Sequence, residues 1–145
     1  MKKIIVIALS LVALTATPVI AQTAVQESHK TVSKKDKTKA KKYGVKKRHV
    51  RKYHLKNREL REIKKARHWA KGSKPRSVRW CESNGRYGIN TGNGYYGAYQ
   101  FNAGTWRSIG GGRYSNYAHK APKFAQDHMA YKLYKQRGWQ PWACA

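Results

Sequence analysis

Acidic residues are scarce: the 145-residue chain carries 6 Asp+Glu against 32 Lys+Arg, a formal net charge of +26. An excess of that size asks for an anionic partner or surface. Long apolar runs are also missing. None approaches the ~20 residues of a membrane-spanning helix, which excludes a polytopic membrane protein. The length leaves room for one domain plus tails and excludes a multidomain enzyme or a large cofactor fold. There is no Gly-rich phosphate loop with its Lys, no dinucleotide fingerprint, no zinc-binding His pair on a helix and no serine flanked as in a nucleophile elbow. Nucleotide and hydride chemistry therefore lack a foothold, and neither a cofactor nor a metal site is expected. What is present is basic and aromatic, and the two properties are separated: 14 of the 17 aromatics follow Gly72, while most of the lysines precede it.

The N-terminus has Lys2 and Lys3, then an uncharged stretch from Ile4 to Ala16, then tolerated or small residues up to Ala21. Residues 1–21 read as a secretory signal, because an apolar core of about 13 residues is too short to span ~30 Å of hydrocarbon. The mature chain is expected outside the cytoplasm, with no membrane span once the signal is removed. In that compartment the only two cysteines, Cys81 and Cys144, read as one disulfide closing a loop of roughly 64 residues. Two rival readings stay open at this level. One is a nucleophilic Cys81 assisted by His119 or His128, and the other is a metal site, for which the Cys and His residues lack close ligand spacing.

Residues 22–74 hold 20 Lys+Arg and four acids, Glu27, Asp36, Glu59 and Glu62. Their composition predicts a Lys/Arg-rich, partly disordered tether that builds no core and grips polyanions electrostatically. Within it, Asn57 is expected to cap a helix over 57–71, with Glu59 and Glu62 in the first turn, basic residues in the last and Gly72 as the stop. Leu60, Ile63 and Ala70 would share its narrow apolar face, and the helix is expected to dock on the domain or to fray when alone.

Residues 75–145 change character, with 10 Lys+Arg, two acids (Glu82 and Asp127) and four of the five tryptophans. A short helix is expected from near Pro75, carrying Val78 and Cys81, ending at Asn84-Gly85 and placing Glu82 at its C-terminal end. A carboxylate there opposes the helix dipole, which raises the cost of ionising it. Arg86–Asn90 and Tyr95–Phe101 read as hairpin strands joined by Thr91-Gly92-Asn93-Gly94. Asn102 is placed to cap a short helix carrying Thr105, Trp106 and Ile109, ended by Gly110-Gly111-Gly112. Pro122 opens a last helix to about Arg137, with Phe124, Ala125, Met129 and Leu133 on one face and Gly138 as the stop. The fold class is α+β, mostly helical, with one small β-hairpin.

One carboxylate at a helix end, surrounded by tyrosines, amides and tryptophans, suits a glycan. Amides and hydroxyls pair with sugar hydroxyls, ring faces cover apolar C–H patches, and a lone acid can protonate a glycosidic oxygen. Here the ordered run Cys81-Glu82-Ser83, Ile89-Asn90-Thr91-Gly92-Asn93-Gly94-Tyr95-Tyr96-Gly97, Gln100-Phe101, Thr105-Trp106 and Gly138-Trp139, with Trp142 and Cys144, resembles the resuscitation-promoting-factor domain of the transglycosylase-like group. The resemblance covers residues 75–145. It implies a miniature lysozyme-like fold, a Cys81–Cys144 disulfide, and cleavage of the β-1,4 bond between N-acetylmuramic acid and N-acetylglucosamine in peptidoglycan. It also implies that Glu82 is the catalytic acid and that Tyr95, Gln100, Thr105 and Trp106 line the substrate groove. Trp106 has a second reading as a core residue of its short helix, and Trp139 and Trp142 are expected to pack. The chain departs from the family pattern at Asn84-Gly85-Arg86-Tyr87 and at Tyr96-Gly97-Ala98-Tyr99, which bears on subsite detail.

Most glycosidases need two carboxylates, and Asp127 is expected to be a solvated helix residue. Glu82 alone fits lytic transglycosylation, acting first as acid and then as base. Hydrolysis by a water that Thr105 or Gln100 positions is the alternative outcome. A non-catalytic module that binds wall polyanions is the rival class, and a membrane-active basic peptide is a third that lacks an amphipathic face. The expected partners are peptidoglycan strands and, through the tether, anionic cell-wall polymers. No specific nucleic acid is expected, and the protein is expected to be a monomer, secreted or wall-associated.

Overall fold

The computed structural model describes residues 37–145, so the expected signal segment 1–21 and residues 22–36 lie outside the described residues. The chain opens in α1, helical over 37–43, and continues through α2 (Lys47–Lys52), α3 (Asn57–Trp69) and α4 (Ser73–Ser83). Two short strands follow, β1 (Tyr95–Tyr96) and β2 (Phe101–Asn102), and then α5 (Ala103–Ser108), 3-10 turns at Gly111–Arg113 and Ala118–Lys120, and α6 (Lys123–Arg137). The molecule is mostly helical with one small antiparallel sheet and a Cys81–Cys144 disulfide, Cα–Cα 5.9 Å, as the composition and spacing predicted. Among the described residues no helix is long and apolar enough to cross a membrane.

Helix boundaries follow local chemistry. Asn102 accepts the Thr105 backbone N–H at 2.8 Å and so caps α5, satisfying a donor that the first turn leaves unpaired. Helix α6 begins directly after Pro122 and stops at Gly138, whose φ of +61° a side chain would disfavour. The helix expected at Asn57 exists, but Asn57 is its first helical residue, Lys56 holds the cap position, and no side-chain cap bond forms. Helix α4 starts two residues before Pro75, which the first turn tolerates because its N–H groups have no helical partner.

The basic region departs most from expectation. Tyr43, Val45, Val50, Tyr53, Leu55, Leu60 and Ile63 are all buried, and they belong to the same core as Trp106, Phe124 and Leu133. Its apolar residues are few, but on α3 they recur as Leu60, Ile63 and Ala66, each 0% exposed, and this stripe lies against α6. Tyr53 meets the Tyr114 ring edge-on at 5.1 Å, and its carbonyl accepts Arg113 Nη2 at 2.6 Å. Low apolar content therefore does not mean that no core forms: one apolar residue per turn suffices when a second surface covers it. Leu60→Ala is expected to destabilise the protein by about 3 kcal/mol in urea unfolding. A loss below about 0.5 kcal/mol would place α3 outside the cooperative unit.

Strand pairing also differs from the predicted hairpin. Tyr95 pairs with Asn102 and Tyr96 with Phe101, so the turn is 97–100. The expected partner 86–90 contributes one bridge, Asn90 to Tyr96. The reason lies in the turn. Gly97 has φ +75° and Gln100 φ +47°, and Tyr99 between them is drawn into the core at 1% exposure. A Cβ on Gly97 would also sit 2.3 Å from Gln126 Oε1, the acceptor for the Ala98 N–H.

His128 on α6 lies with Nδ1 3.4 Å from Tyr114 Oη. Burial, aided by Lys132, pushes it down to about 4. At pH 7 it is neutral in both the folded and unfolded states. As pH falls below about 6.5 the unfolded chain takes up a proton that the folded one refuses until about 4. His128 thus leaves stability intact above pH 6.5 and removes up to about 3 kcal/mol between there and pH 4. The difference in unfolding free energy between wild type and His128→Gln should slope with pH across that window. A flat difference would mean that the imidazole is solvated.

Candidate active site

Glu82 is the penultimate residue of α4. The helix is stopped by Asn84, which adopts φ +52° and returns its N–H to Trp80 O at 2.7 Å, while Gly85 N–H reaches Arg79 O at 2.9 Å. A left-handed Asn or Gly is the usual way to end a helix without strain. Ser83 is buried, and its hydroxyl is shared between Arg79 O at 3.0 Å and Ala98 O at 2.9 Å. That contact fastens the 97–100 turn to the last turn of α4. It brings the strand carrying Tyr95, and Gln100 in the turn, to the helix end that carries Glu82.

Glu82 is half-buried, and its Oε1 accepts the Cys144 backbone N–H at 3.3 Å. Cys144 is itself held by the disulfide to Cys81, the neighbour of Glu82. One carboxylate oxygen is thus held by the Cys144 backbone, while Oε2 makes no hydrogen bond to a described residue.

The other expected site residues divide. Tyr95 is 47% exposed, one of two large apolar side chains that reach solvent to this degree among the described residues. Gln100 is partly exposed, and its Nε2 donates to Gly97 O at 2.9 Å, leaving its Oε1 free to accept. Thr105 is half-buried in the first turn of α5. Trp106 differs: it is 0% exposed and its Nε1 donates to Ser115 O at 2.7 Å. Its ring also fills the space beside Gly111, where a Cβ would come within 2.3 Å. Trp106 is a core residue and offers no surface to a substrate. Trp142 is buried with Nε1 on Tyr99 O, and Trp139 stacks on Trp69 at 5.6 Å, so both pack.

Asp127 is the clearest correction, since it is not solvated but 4% exposed. Its Oδ1 accepts the hydroxyls of Tyr87 at 2.6 Å and Tyr99 at 3.0 Å. Arg79 Nη1 backs the network by donating to Tyr99 Oη at 2.7 Å, and its Nη2 donates to Ala70 O at 2.8 Å. Burial pushes the Asp127 carboxyl up, against the opposing pull of the two phenols and then Arg79. This carboxylate organises packing, with its Oδ1 held by two phenols. The sequence reading missed the network because Asp127 is flanked by polar Gln126 and His128, and Gln126 is also fully buried, holding Ala98 N, Tyr87 O and Ala121 O. It also missed Trp80, 68% exposed beside Cys81 and Glu82. No local signal separates an exposed tryptophan from a packed one. Among the described residues no group of three or more His, Cys, Asp or Glu is arranged to hold a metal ion.

Comparison with known proteins gives the family of this domain. The model of the transglycosylase-like domain matches residues 70–145. Similar proteins include resuscitation-promoting factor Rpf1 of Corynebacterium glutamicum, 44% identical over 66 residues, which are 45% of this chain and 34% of that protein. Resuscitation-promoting factor Rpf of Micrococcus luteus is 45% identical over 62 residues, 43% of this chain and 26% of the relative. Resuscitation-promoting factor RpfE of Mycobacterium tuberculosis is 44% identical over 71 residues, 46% of this chain and 40% of the relative. The matches span between about a quarter and two-fifths of the length of these relatives.

Proposed function

Because this chain belongs to the resuscitation-promoting-factor family through its transglycosylase-like domain, we propose that it cleaves the β-1,4 bond between N-acetylmuramic acid and N-acetylglucosamine in peptidoglycan, as a lytic transglycosylase acting outside the cytoplasm. The observation that carries this reading is the pairing of an open Glu82 Oε2 with the sequestration of Asp127, the other acid of this domain. A site with one accessible carboxylate suits a mechanism in which the same group gives and then takes a proton.

In that mechanism Glu82, protonated on Oε2, donates its proton to the glycosidic oxygen. The C1–O bond breaks and N-acetylglucosamine leaves as the alcohol. The Glu82 carboxylate then takes the proton of the muramic 6-hydroxyl as O6 bonds to C1, closing a 1,6-anhydro ring and restoring the acid. Water takes no part. The Cys144 N–H on Oε1 holds the carboxyl in one orientation through both transfers. Tyr95 offers a ring face to a sugar, and Gln100 and Thr105 offer polar atoms to its hydroxyls and acetamido groups.

The test is mass spectrometry of the soluble fragments that the mature protein releases from purified peptidoglycan. Products one water lighter than reducing-end sugars are expected. Reducing ends would instead make the protein a muramidase that directs a water at C1, and no fragments at all would make it a wall-binding module.

A further inference from the structure

Two clefts meet at one lysine. The first, about 660 Å³, lies between α2 and the start of α6 and is lined by Arg48, Lys52, Lys120 and Lys123, with His49. The second, about 470 Å³, lies among α3, α4 and α6 and is lined by Arg67, Lys71, Arg76, Arg79 and the same Lys123. From these we propose that the two clefts form one continuous track that binds a linear polymer of repeated phosphate groups that carries no bases. The binding goes beyond the cleavage reading and does not depend on it.

The charge balance carries the argument. Four side-chain carboxylates lie among the described residues. Glu59 is taken by Arg113, Glu62 by Lys65 and Lys135, and Glu82 by the Cys144 N–H. The fourth, Asp127, is the only acid lining either cleft, and it is buried beneath Tyr87 and Tyr99. Arg79 and Lys123 lie in the field of the buried Asp127, while the other six cations of the track form no ion pair with a described carboxylate, an arrangement that is unfavourable until an anion enters.

Several of these cations are also held in place. Lys123 Nζ sits 4.7 Å from the centre of the Tyr87 ring. Arg67 is tied to the carbonyls of Tyr43 and Gly44, and Arg79 to Tyr99 and Ala70. Positions fixed before binding lose little freedom on binding. The shape favours a chain with repeated charges over a single ion, because two clefts joined end to end require anions spaced along one molecule. It disfavours nucleic acid, because the track offers bases little ring surface: Tyr53 is buried, Lys123 covers Tyr87, and the ring of His49 packs against Phe124 at 5.2 Å. On α4 the residues Arg76, Arg79 and Glu82 follow at intervals of three, each about 4.5 Å further along the helix axis. The track therefore ends one turn from the candidate catalytic residue.

The probe is long-chain inorganic polyphosphate, titrated against the full mature protein at several salt concentrations. Lys71→Gln/Arg76→Gln/Lys123→Gln removes three track charges. The control Lys64→Gln/Arg107→Gln/Arg137→Gln removes three exposed charges elsewhere, so the two proteins carry the same net charge. The track variant is expected to bind at least about tenfold more weakly and to lower the slope of log K against log salt by about 2. The control should lose less than about threefold, and both should keep the wild-type unfolding midpoint. Glu82→Gln should bind polyphosphate like wild type, which separates this site from the cleavage chemistry. Equal losses in the two triple variants would overturn the proposal in favour of general net-charge attraction. So would single-stranded DNA of matched charge binding more tightly than polyphosphate.

Discussion

Glu82→Gln is expected to reduce fragment release from peptidoglycan by about a thousandfold, since a positioned general acid and base contributes roughly 10²–10⁴ in rate. The substitution keeps the shape of the side chain, and its amide oxygen still accepts the Cys144 N–H that now bonds Oε1. It can neither protonate the departing oxygen nor take the proton of the attacking hydroxyl. Binding of uncleaved glycan and the unfolding midpoint should stay at wild-type values, which distinguishes lost chemistry from lost structure. A variant that retains a tenth or more of the activity would remove Glu82 from the mechanism. Asp127 would not replace it without movement of Tyr87 and Tyr99, which cover it.

The disulfide should have the largest effect on stability. Replacing Cys81 and Cys144 by serine opens a loop with a sequence separation of 63, which on the chain-entropy account removes about 4 kcal/mol. That is a large part of what a domain of this size has to lose. Urea unfolding of the double variant measures it, and a loss under about 1 kcal/mol would show that the tail is held by Trp142 on Tyr99 and Trp139 on Trp69 instead. Activity should fall further than the folded fraction does, because the freed backbone at position 144 no longer presents its N–H to Glu82. Equal falls in both would mean that this hydrogen bond does not orient the acid.

The packing of residues 43–70 changes how truncations should be interpreted. Cutting the chain at residue 74 would strip Leu60, Ile63 and Ala66 from the surface of α6, so loss of activity in such a truncation would report instability as well as loss of wall attachment. Single charge changes on the exposed side of α2 and α3 separate the two effects.

Much of the architecture was legible in order along the chain. The helix stop at Asn84-Gly85, the Asn102 cap, the Pro122 start and Gly138 stop of α6, and the cysteine pair each rest on short-range geometry or on a residue type with few uses. The placement of Glu82 at a helix end followed from the same signals. Other features depended on which surface came to cover a residue. Asp127 reads as solvated from its neighbours and Trp106 reads equally well as exposed or buried, and only the tyrosines of the 87–99 segment and the close approach of Gly111 settle them. The hairpin register followed Tyr99, whose burial moved the turn from 91–94 to 97–100. The basic region joined the core because α6 offered its sparse apolar residues a partner surface. Caps and stops are determined by near neighbours in the chain, and two cysteines allow one pairing within it, so the amino-acid order alone specifies them. Burial of a carboxylate, an indole or a lysine-rich helix is a balance of desolvation against long-range contact, and that balance exists only once distant segments have met.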